Sequence, residues 1–319
     1  MLIPVLLFCL GLILLIRSGG QFVEQAAAIA RRLHMPEVLI GATIVSLGTT
    51  LPEVMVSARS ALGGHGEIAY GNAAGSVICN AALIGGIAIA AQPGGTRRRA
   101  LWLPTAFFFG AAAVFGITVY GSGWFSRGIG LLLLLLLAVY MLLALQDARR
   151  SARQQNKMAA DTCPLAARIL WLAVSALLVA AGAELLVDNG VVIARSIGVP
   201  ESVIGLTFVA LGTSLPELTT ALVSLGRGHS GLSLGNILGA NLLNLTLVSG
   251  LAAVLRPFAI PENTAFGGLN LTRWLDYPVM LLVMGILCVP VLASGKTSRW
   301  QGGVLLMLYA AFCFVQLSL

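Results

Sequence analysis

Long apolar runs separated by short polar clusters extend along almost the whole chain. A helix needs about 20 mostly apolar residues to cross a bilayer. By that measure the pattern predicts ten spans, near 2–19, 38–60, 68–91, 100–120, 124–145, 166–187, 202–225, 232–255, 275–293 and 301–318. The first run has no basic leader and no clear small-residue cleavage site, so it reads as a span and not as a signal peptide. The expected fold class is all-α, a polytopic membrane protein.

Composition agrees and narrows the function. Of 319 residues, 58% are hydrophobic and only 10% charged, against roughly a quarter charged in soluble domains. Mean hydropathy is +0.95. An ordinary soluble enzyme, a nucleic-acid binder and a disordered tail are excluded, because so few polar groups leave too little surface to face water. The five cysteines, Cys9, Cys79, Cys163, Cys288 and Cys313, lie scattered without a CxxC pair and read as small hydrophobes. His34, His65 and His229 form no metal-ligand spacing.

The net charge of +7 becomes a topology signal once the loops are taken alternately. One set holds Arg31, Arg32, Arg97, Arg98, Arg99, Arg149, Arg150, Arg153, Lys157, Arg168, Arg227, Lys296 and Arg299; the other holds Arg59, Arg127, Arg195, Arg256 and Arg273. Thirteen against five places the first set in the cytoplasm and both termini outside. Arg17, near the end of the first span, reads as a side chain snorkelling to the headgroups. The polar stretch 147–164 then forms a cytoplasmic linker between a first unit, 1–146, and a second, 165–319. It is too short to fold alone as a sensor module.

The two units are copies of each other. Residues 36–58 read PEVLIGATIVSLGTTLPEVMVSA and residues 200–222 read PESVIGLTFVALGTSLPELTTAL, with twelve of 23 positions identical at an offset of 164. The same offset aligns Gly71-Asn72 and Gly75 with Gly235-Asn236 and Gly239, and Asn80 with Asn244. Five spans per copy is an odd number, so the second copy enters from the opposite side. Such inverted-topology repeats accompany alternating access around a site at the bilayer midplane.

Both copies carry a helix break with an acid beside it. Gly48-Thr49-Thr50-Leu51-Pro52-Glu53 and Gly212-Thr213-Ser214-Leu215-Pro216-Glu217 lie mid-span. A proline inside a helix removes a donor and strands the carbonyl four residues back, here at Gly48 and Gly212. In lipid such carbonyls are tolerated where they line a cavity or bind something, and carbonyls, hydroxyls and carboxylates are the ligands of hard cations. An ionised carboxylate at mid-membrane costs at least about 2.5 kcal/mol. No Lys or Arg lies within 38–58, 68–91, 202–225 or 232–255 to neutralise Glu53 or Glu217. A bound cation or a proton is left to do so, and two carboxylates match one divalent ion.

A polar stripe completes the constellation. Asn72, Ser76 and Asn80 are spaced by four and share a helix face; their counterparts are Asn236, Ala240 and Asn244, with Asn241 just beside them. These side chains read either as oxygen ligands opposite the glutamates or as interhelical hydrogen bonds, typically worth about 1 kcal/mol in membranes. Glu184 and Asp188, late in the sixth span, read as helix-end acids near water or as part of an ion entry path.

The doubled G-x-T-x-V-x-L-G-T-[TS]-L-P-E and G-N-x-x-G segments resemble the alpha-repeats of the cation/calcium antiporter superfamily, the sodium/calcium exchangers, and the resemblance covers essentially the whole chain. It implies ten helices in two inverted five-helix repeats and a central diamond of four cation sites. It further implies that Glu53, Glu217 and the Thr49 and Thr213 carbonyls hold calcium. Sodium is then shared among Glu53, Glu217, Thr50, Ser214, Ser76, Asn80 and the carbonyls of Ser46 and Ala210, while the first and sixth spans slide across the core. Two positions depart from the common pattern: Asn244 stands where many members carry aspartate and Ala240 where they commonly carry serine. In this the chain resembles a bacterial branch of the family, and the coupling ion stays open between sodium and proton.

The expectation is an antiporter in the inner membrane of a bacterial or archaeal cell, moving calcium against sodium or protons. Its partners are the lipid bilayer and inorganic cations, with no cofactor and no nucleic acid, and no protein partner is inferable. A passive channel would lack a use for the inverted repeat. An intramembrane enzyme lacks support, since there is no HExxH and no GxSxG.

Overall fold

The computed structural model describes residues 2–33, 35–94, 98–154, 164–196, 210–261, 264–265 and 269–318. Residues 202–209 of the expected seventh span, and 155–163 of the expected linker with Lys157 and Cys163, lie outside the described residues, as do His34 and Arg97.

The described residues form α1 (Leu2–Arg32), α2 (Glu37–Thr49), α3 (Leu51–Gly63), α4 (Gly66–Ala91), α5 (Arg98–Tyr120), α6 (Arg127–Gln154) and α7 (Leu165–Ser196). They continue with α8 (Ala210–Thr213), α9 (Leu215–Gly226), α10 (Ser230–Leu255), α11 (Thr272–Ser294) and α12 (Arg299–Ser318). Seven of these helices are long and apolar enough to cross a membrane, and α2 with α3 makes an eighth candidate bent by 48°. Three ends run well past the sequence expectation, that of α7 at Ser196 instead of 187 among them. α1 runs 31 residues, well past position 19, because Gln21 to Arg32 contains good helix formers and no proline. α6 continues to Gln154, so the expected linker begins as helix.

Burial sorts the helices into a centre and a periphery. In α4 and α10, 78% and 83% of the apolar window is buried in the protein, against 22% in α1, α6 and α7. Glycine makes the central packing possible. A Cβ at Gly235 would lie 2.2 Å from the Val38 carbonyl oxygen, and one at Gly239 2.5 Å from Ala42 Cα, so α10 touches α2 backbone to backbone. α1 and α7 run along each other outside this bundle, with Gly182 against the Leu15 backbone.

Loops gather at two ends. At one end, Thr297 and Gly94 exchange hydrogen bonds of 2.8 and 2.9 Å, and His229 Nδ1 lies 2.7 Å from Glu37 Oε1. At the other end β1 (Trp124–Phe125) pairs with β2 (Phe258–Ala259), close to the short hairpin of β3 (Thr264–Ala265) and β4 (Leu269–Asn270). Phe125 stacks on Phe258 at 5.1 Å and meets Phe115 edge-on at 4.8 Å, an aromatic plug over the bundle. Exposed tryptophans mark both ends: Trp102, Trp171 and Trp300 near the first, Trp124 and Trp274 near the second, as expected of membrane–water interfaces.

Proline and wide turns deform the helices where polar groups compensate. Pro290 inside α11 strands the Ile286 carbonyl, and Gln301 Nε2 donates to it at 2.7 Å and to the Leu287 carbonyl at 3.0 Å. π turns occupy Gly41–Val45, Cys79–Ile84, Asn244–Val248 and Thr272–Asp276. The second and third fall at matching places in the two copies, a geometry often found at functional sites.

Candidate functional site

The two glycine-to-proline segments break their helices in the same way. Thr50 (φ −82°, ψ 0°) ends α2, and Ser214 (φ −89°, ψ 4°) stands between α8 and α9. A new helix then begins with proline in its first turn, where the missing N–H is harmless, and with Glu53 or Glu217 in that same turn. Each carboxylate thus lies near the positive end of a helix dipole, which favours negative charge there.

Both glutamates are fully buried. Neither Glu53 oxygen has a hydrogen-bond partner, and Glu217 Oε2 has none. Glu217 Oε1 accepts from the Thr50 hydroxyl at 3.2 Å, so the first break reaches across to the acid of the second. Both amide atoms of Asn80 and of Asn244 are likewise buried without partners, and so is Ser214 Oγ. Buried polar atoms are normally paired, and each exception calls for an explanation. Among the described residues eight of the twelve such atoms belong to the two glutamates, Asn80, Asn244 and Ser214, the others being on Tyr70, Thr105, Ser233 and Asn241. The oxygens of the eight are of the kind that suits a hard cation. Among the described residues no group of three or more His, Cys, Asp or Glu gathers elsewhere to compete as a metal site.

The stripe divides into two kinds of residue. Asn72 Nδ2 donates to the Glu53 carbonyl at 3.2 Å and to Ser57 Oγ at 2.9 Å. Asn236 Nδ2 donates to Thr220 Oγ1 at 2.9 Å, and its Oδ1 accepts from Thr49 Oγ1 at 3.2 Å. Thr220 in turn donates to the carbonyls of Pro216 and Glu217, at 2.9 and 3.0 Å. Asn72 and Asn236 therefore hold the helix starts that carry the glutamates, while Asn80 and Asn244 keep their amides unpaired. Asn241 donates to Met284 Sδ at 3.0 Å, away from the breaks.

The remaining expected residues fall as follows. Ser76 is buried on α4. The Ser46 carbonyl accepts from Thr50 N–H at 2.9 Å and from Thr49 Oγ1 at 3.3 Å, closing the end of α2. Ala240 and Gly212 are buried, and Thr213 half-buried. Ala210 opens α8. Gly48 faces the outer helix pair: a Cβ there would meet Phe22 of α1 at 3.2 Å and Ala176 of α7 at 3.5 Å. Glu184 and Asp188 are exposed on α7, and Arg17 is exposed on α1.

Ser57, Thr220 and Tyr140 escaped the sequence reading. Ser57 and Thr220 lie four and three residues after their glutamates, a helical spacing that puts them on the same face. That spacing was available in the sequence. Tyr140, which donates to the Ala42 carbonyl at 2.8 Å from α6, left no local trace.

Known proteins share this architecture. Inner membrane protein YrbG of Escherichia coli is 34% identical over 291 residues, covering 89% of this chain and 87% of that one. The sodium/calcium exchanger MaX1 of Methanosarcina acetivorans is 28% identical, with 97% of each chain covered. A solved structure of the sodium-calcium exchanger NCX_Mj superposes with a TM-score of 0.80 at 29% identity, covering 98% of this chain and 97% of that one. The family model for the sodium/calcium exchanger protein matches residues 3–146 and 168–318. With both copies matched and the fold shared end to end, the chain belongs to the sodium/calcium exchanger family, membrane antiporters and not enzymes.

Proposed function

We propose that the protein exchanges calcium for sodium across the inner membrane by alternating access, with Glu53 and Glu217 as the carboxylates both ions share. The observation that carries this reading is the pair of fully buried glutamates at repeat-related helix breaks, three of whose four oxygens lack a partner. A dication neutralises the pair outright. Monovalent ions do so only in number, drawing on Thr50, Ser214, Ser76, Asn80 and Asn244. The Thr49 and Thr213 carbonyls are the further calcium ligands, and those of Ser46 and Ala210 the further sodium ligands.

Exchange follows from competition for the same charge. With calcium bound the monovalent ions are displaced, and the reverse. An empty site would carry two bare carboxylates into a dry, closed state, at a cost of several kcal/mol. The switch is thus permitted only when the site is filled, which prevents uncoupled leak. In this reading ten spans form two inverted repeats, both termini face outside, and α1 with α7 slides across the bundle. Phe22 and Ala176, packed over Gly48, support that role by placing the moving pair against the break itself.

A proton-coupled exchanger is the second reading, favoured by Asn244, which supplies an amide where an acid would hold a further monovalent ion. Calcium-loaded proteoliposomes given either a sodium or a pH gradient test both. Calcium efflux driven by sodium alone supports the first reading and efflux driven by protons alone the second. Glu53→Gln and Glu217→Gln should each reduce exchange at least a hundred-fold while the protein still folds. Wild-type rates in either variant would remove the site assignment, and flux without any counter-ion would remove exchange altogether.

A further inference from the structure

Glu24 and Gln25, neighbours in the second half of α1, bind in different directions. Gln25 Oε1 accepts from Arg168 Nη1 of α7 at 2.9 Å, which ties the two outer helices to each other. Glu24 Oε2 lies 3.5 Å from Arg227 Nη1, just past the end of α9 and so on the bundle that contains the breaks. Glycines bring the elements close: a Cβ at Gly19 would lie 2.5 Å from Thr219 Cγ2, and one at Gly20 2.9 Å from Arg227 Nη2. The ion pair is therefore seated at a close crossing between the outer pair and the bundle.

The duplication makes this contact one-sided. At the offset of 164, Glu24 corresponds to Asp188, so each outer helix carries an acid. Arg227 corresponds to Gly63: the turn reads Arg227-Gly228-His229 in one copy and Gly63-Gly64-His65 in the other. The turn itself is preserved, with Gly64 at φ +90° and Gly228 at φ +79°. What differs is the source of the guanidinium. At the first copy's turn it comes from Arg256, just past the end of α10, which donates to the Leu62 carbonyl at 3.0 Å and lies beside Gly64. Only Arg227 therefore offers the charge from the turn itself to an acid of an outer helix.

We propose that Glu24 and Arg227 form a one-sided latch that holds α1 and α7 in the register closing the Arg227 end, and so biases the exchanger toward access from the opposite end. The inference rests on the alternating-access reading above. The pair is half-exposed, 41% for Arg227 and 54% for Glu24, and exposed ion pairs contribute modestly. The latch therefore tunes the two access states and does not lock one. Removing it should raise the population open at the Arg227 end about two- to five-fold, and apparent affinity at that end rises with the competent fraction.

Two measurements on the full chain in membrane vesicles test the latch. Arg227→Ala and Glu24→Gln should each lower the half-saturating calcium concentration at the Arg227 end two- to five-fold. The charge swap, Glu24→Arg with Arg227→Glu, should restore it. Independently of transport, a single cysteine placed at Ser224, buried near the end of α9, in a chain whose five native cysteines are replaced by alanine or serine, reports opening through its rate of labelling by an impermeant maleimide. That rate should rise two- to five-fold in the single variants and return in the swap. Unchanged labelling in the single variants, or a swap that fails to restore it, overturns the latch. If the wild type catalyses no exchange, the antiporter reading falls, while the labelling rates still decide whether the ion pair controls this end.

Discussion

Thr50 of the first copy donates its hydroxyl to Glu217 of the second at 3.2 Å, while Ser214, its counterpart, makes no bond to Glu53. The duplicated breaks are thus unequal in this arrangement. Thr50 fixes one oxygen of Glu217 and leaves the other for an ion, whereas Glu53 keeps both free. A hydrogen bond to a charged group is worth about 1.5–3 kcal/mol. Thr50→Val should therefore raise half-saturating calcium roughly ten- to hundred-fold, and Ser214→Ala by clearly less. Equal effects in calcium titrations of the two variants would show that the asymmetry plays no part in binding.

The two kinds of asparagine should separate by the sign of their effect on stability. Asn72 and Asn236 satisfy buried partners, and orphaning such groups costs about 1–3 kcal/mol. Asn72→Ala and Asn236→Ala should lower the ion-free melting temperature in detergent by several degrees. Asn80→Ala and Asn244→Ala remove amides that have no partner, so the ion-free protein should melt no lower than wild type. They should instead lose most of the stabilisation that added calcium or sodium confers. A fall in the ion-free melting temperature of all four variants would contradict the division.

Much of the site was legible because it depends on covalent spacing. Glycine, proline and glutamate within six residues specify a break and a charge wherever the helix is docked, and duplication specifies that there are two. The division among the asparagines was not legible. Asn72, Ser76 and Asn80 share one face only on a regular helix, but π turns begin at Cys79 and Asn244, where the backbone leaves the 3.6-residue period. Partners also depend on docking: Thr49 meets Asn236 across 187 positions, and nothing local encodes that pairing. The same holds for the plug of Phe115, Phe125 and Phe258, which joins two expected spans, 100–120 and 124–145, to a loop that reads simply as a connection.

Gln301 offers a control away from the ions. Its amide satisfies two carbonyls near Pro290, one of them stranded by the proline ring. Gln301→Leu keeps the volume and removes both donors, so it should destabilise the protein by about 1–3 kcal/mol. Half-saturating calcium should remain at its wild-type value. A melting temperature that does not move would mean that water or lipid headgroups satisfy those carbonyls equally well.

Asn244→Asp tests how the charge of the site sets coupling. With Glu53 and Glu217 ionised, the wild-type site carries two negative charges, and one calcium ion cancels them. A third carboxylate leaves one charge uncancelled when calcium is bound, and a bare charge in a dry closed state is strongly disfavoured. The variant should switch only with one additional monovalent cation on board. Calcium efflux should then depend on sodium with higher cooperativity than in the wild type. The net stoichiometry measured from reversal potentials should stay at the wild-type value, because the additional cation travels with calcium in one direction and with the other monovalent ions in the other. If a proton fills the new position instead, the sodium dependence will stay as in the wild type and the rate will fall as pH rises. A variant with unchanged sodium cooperativity, unchanged pH dependence and full activity would place Asn244 outside the charge balance of the site, and its unpaired amide would then need another explanation.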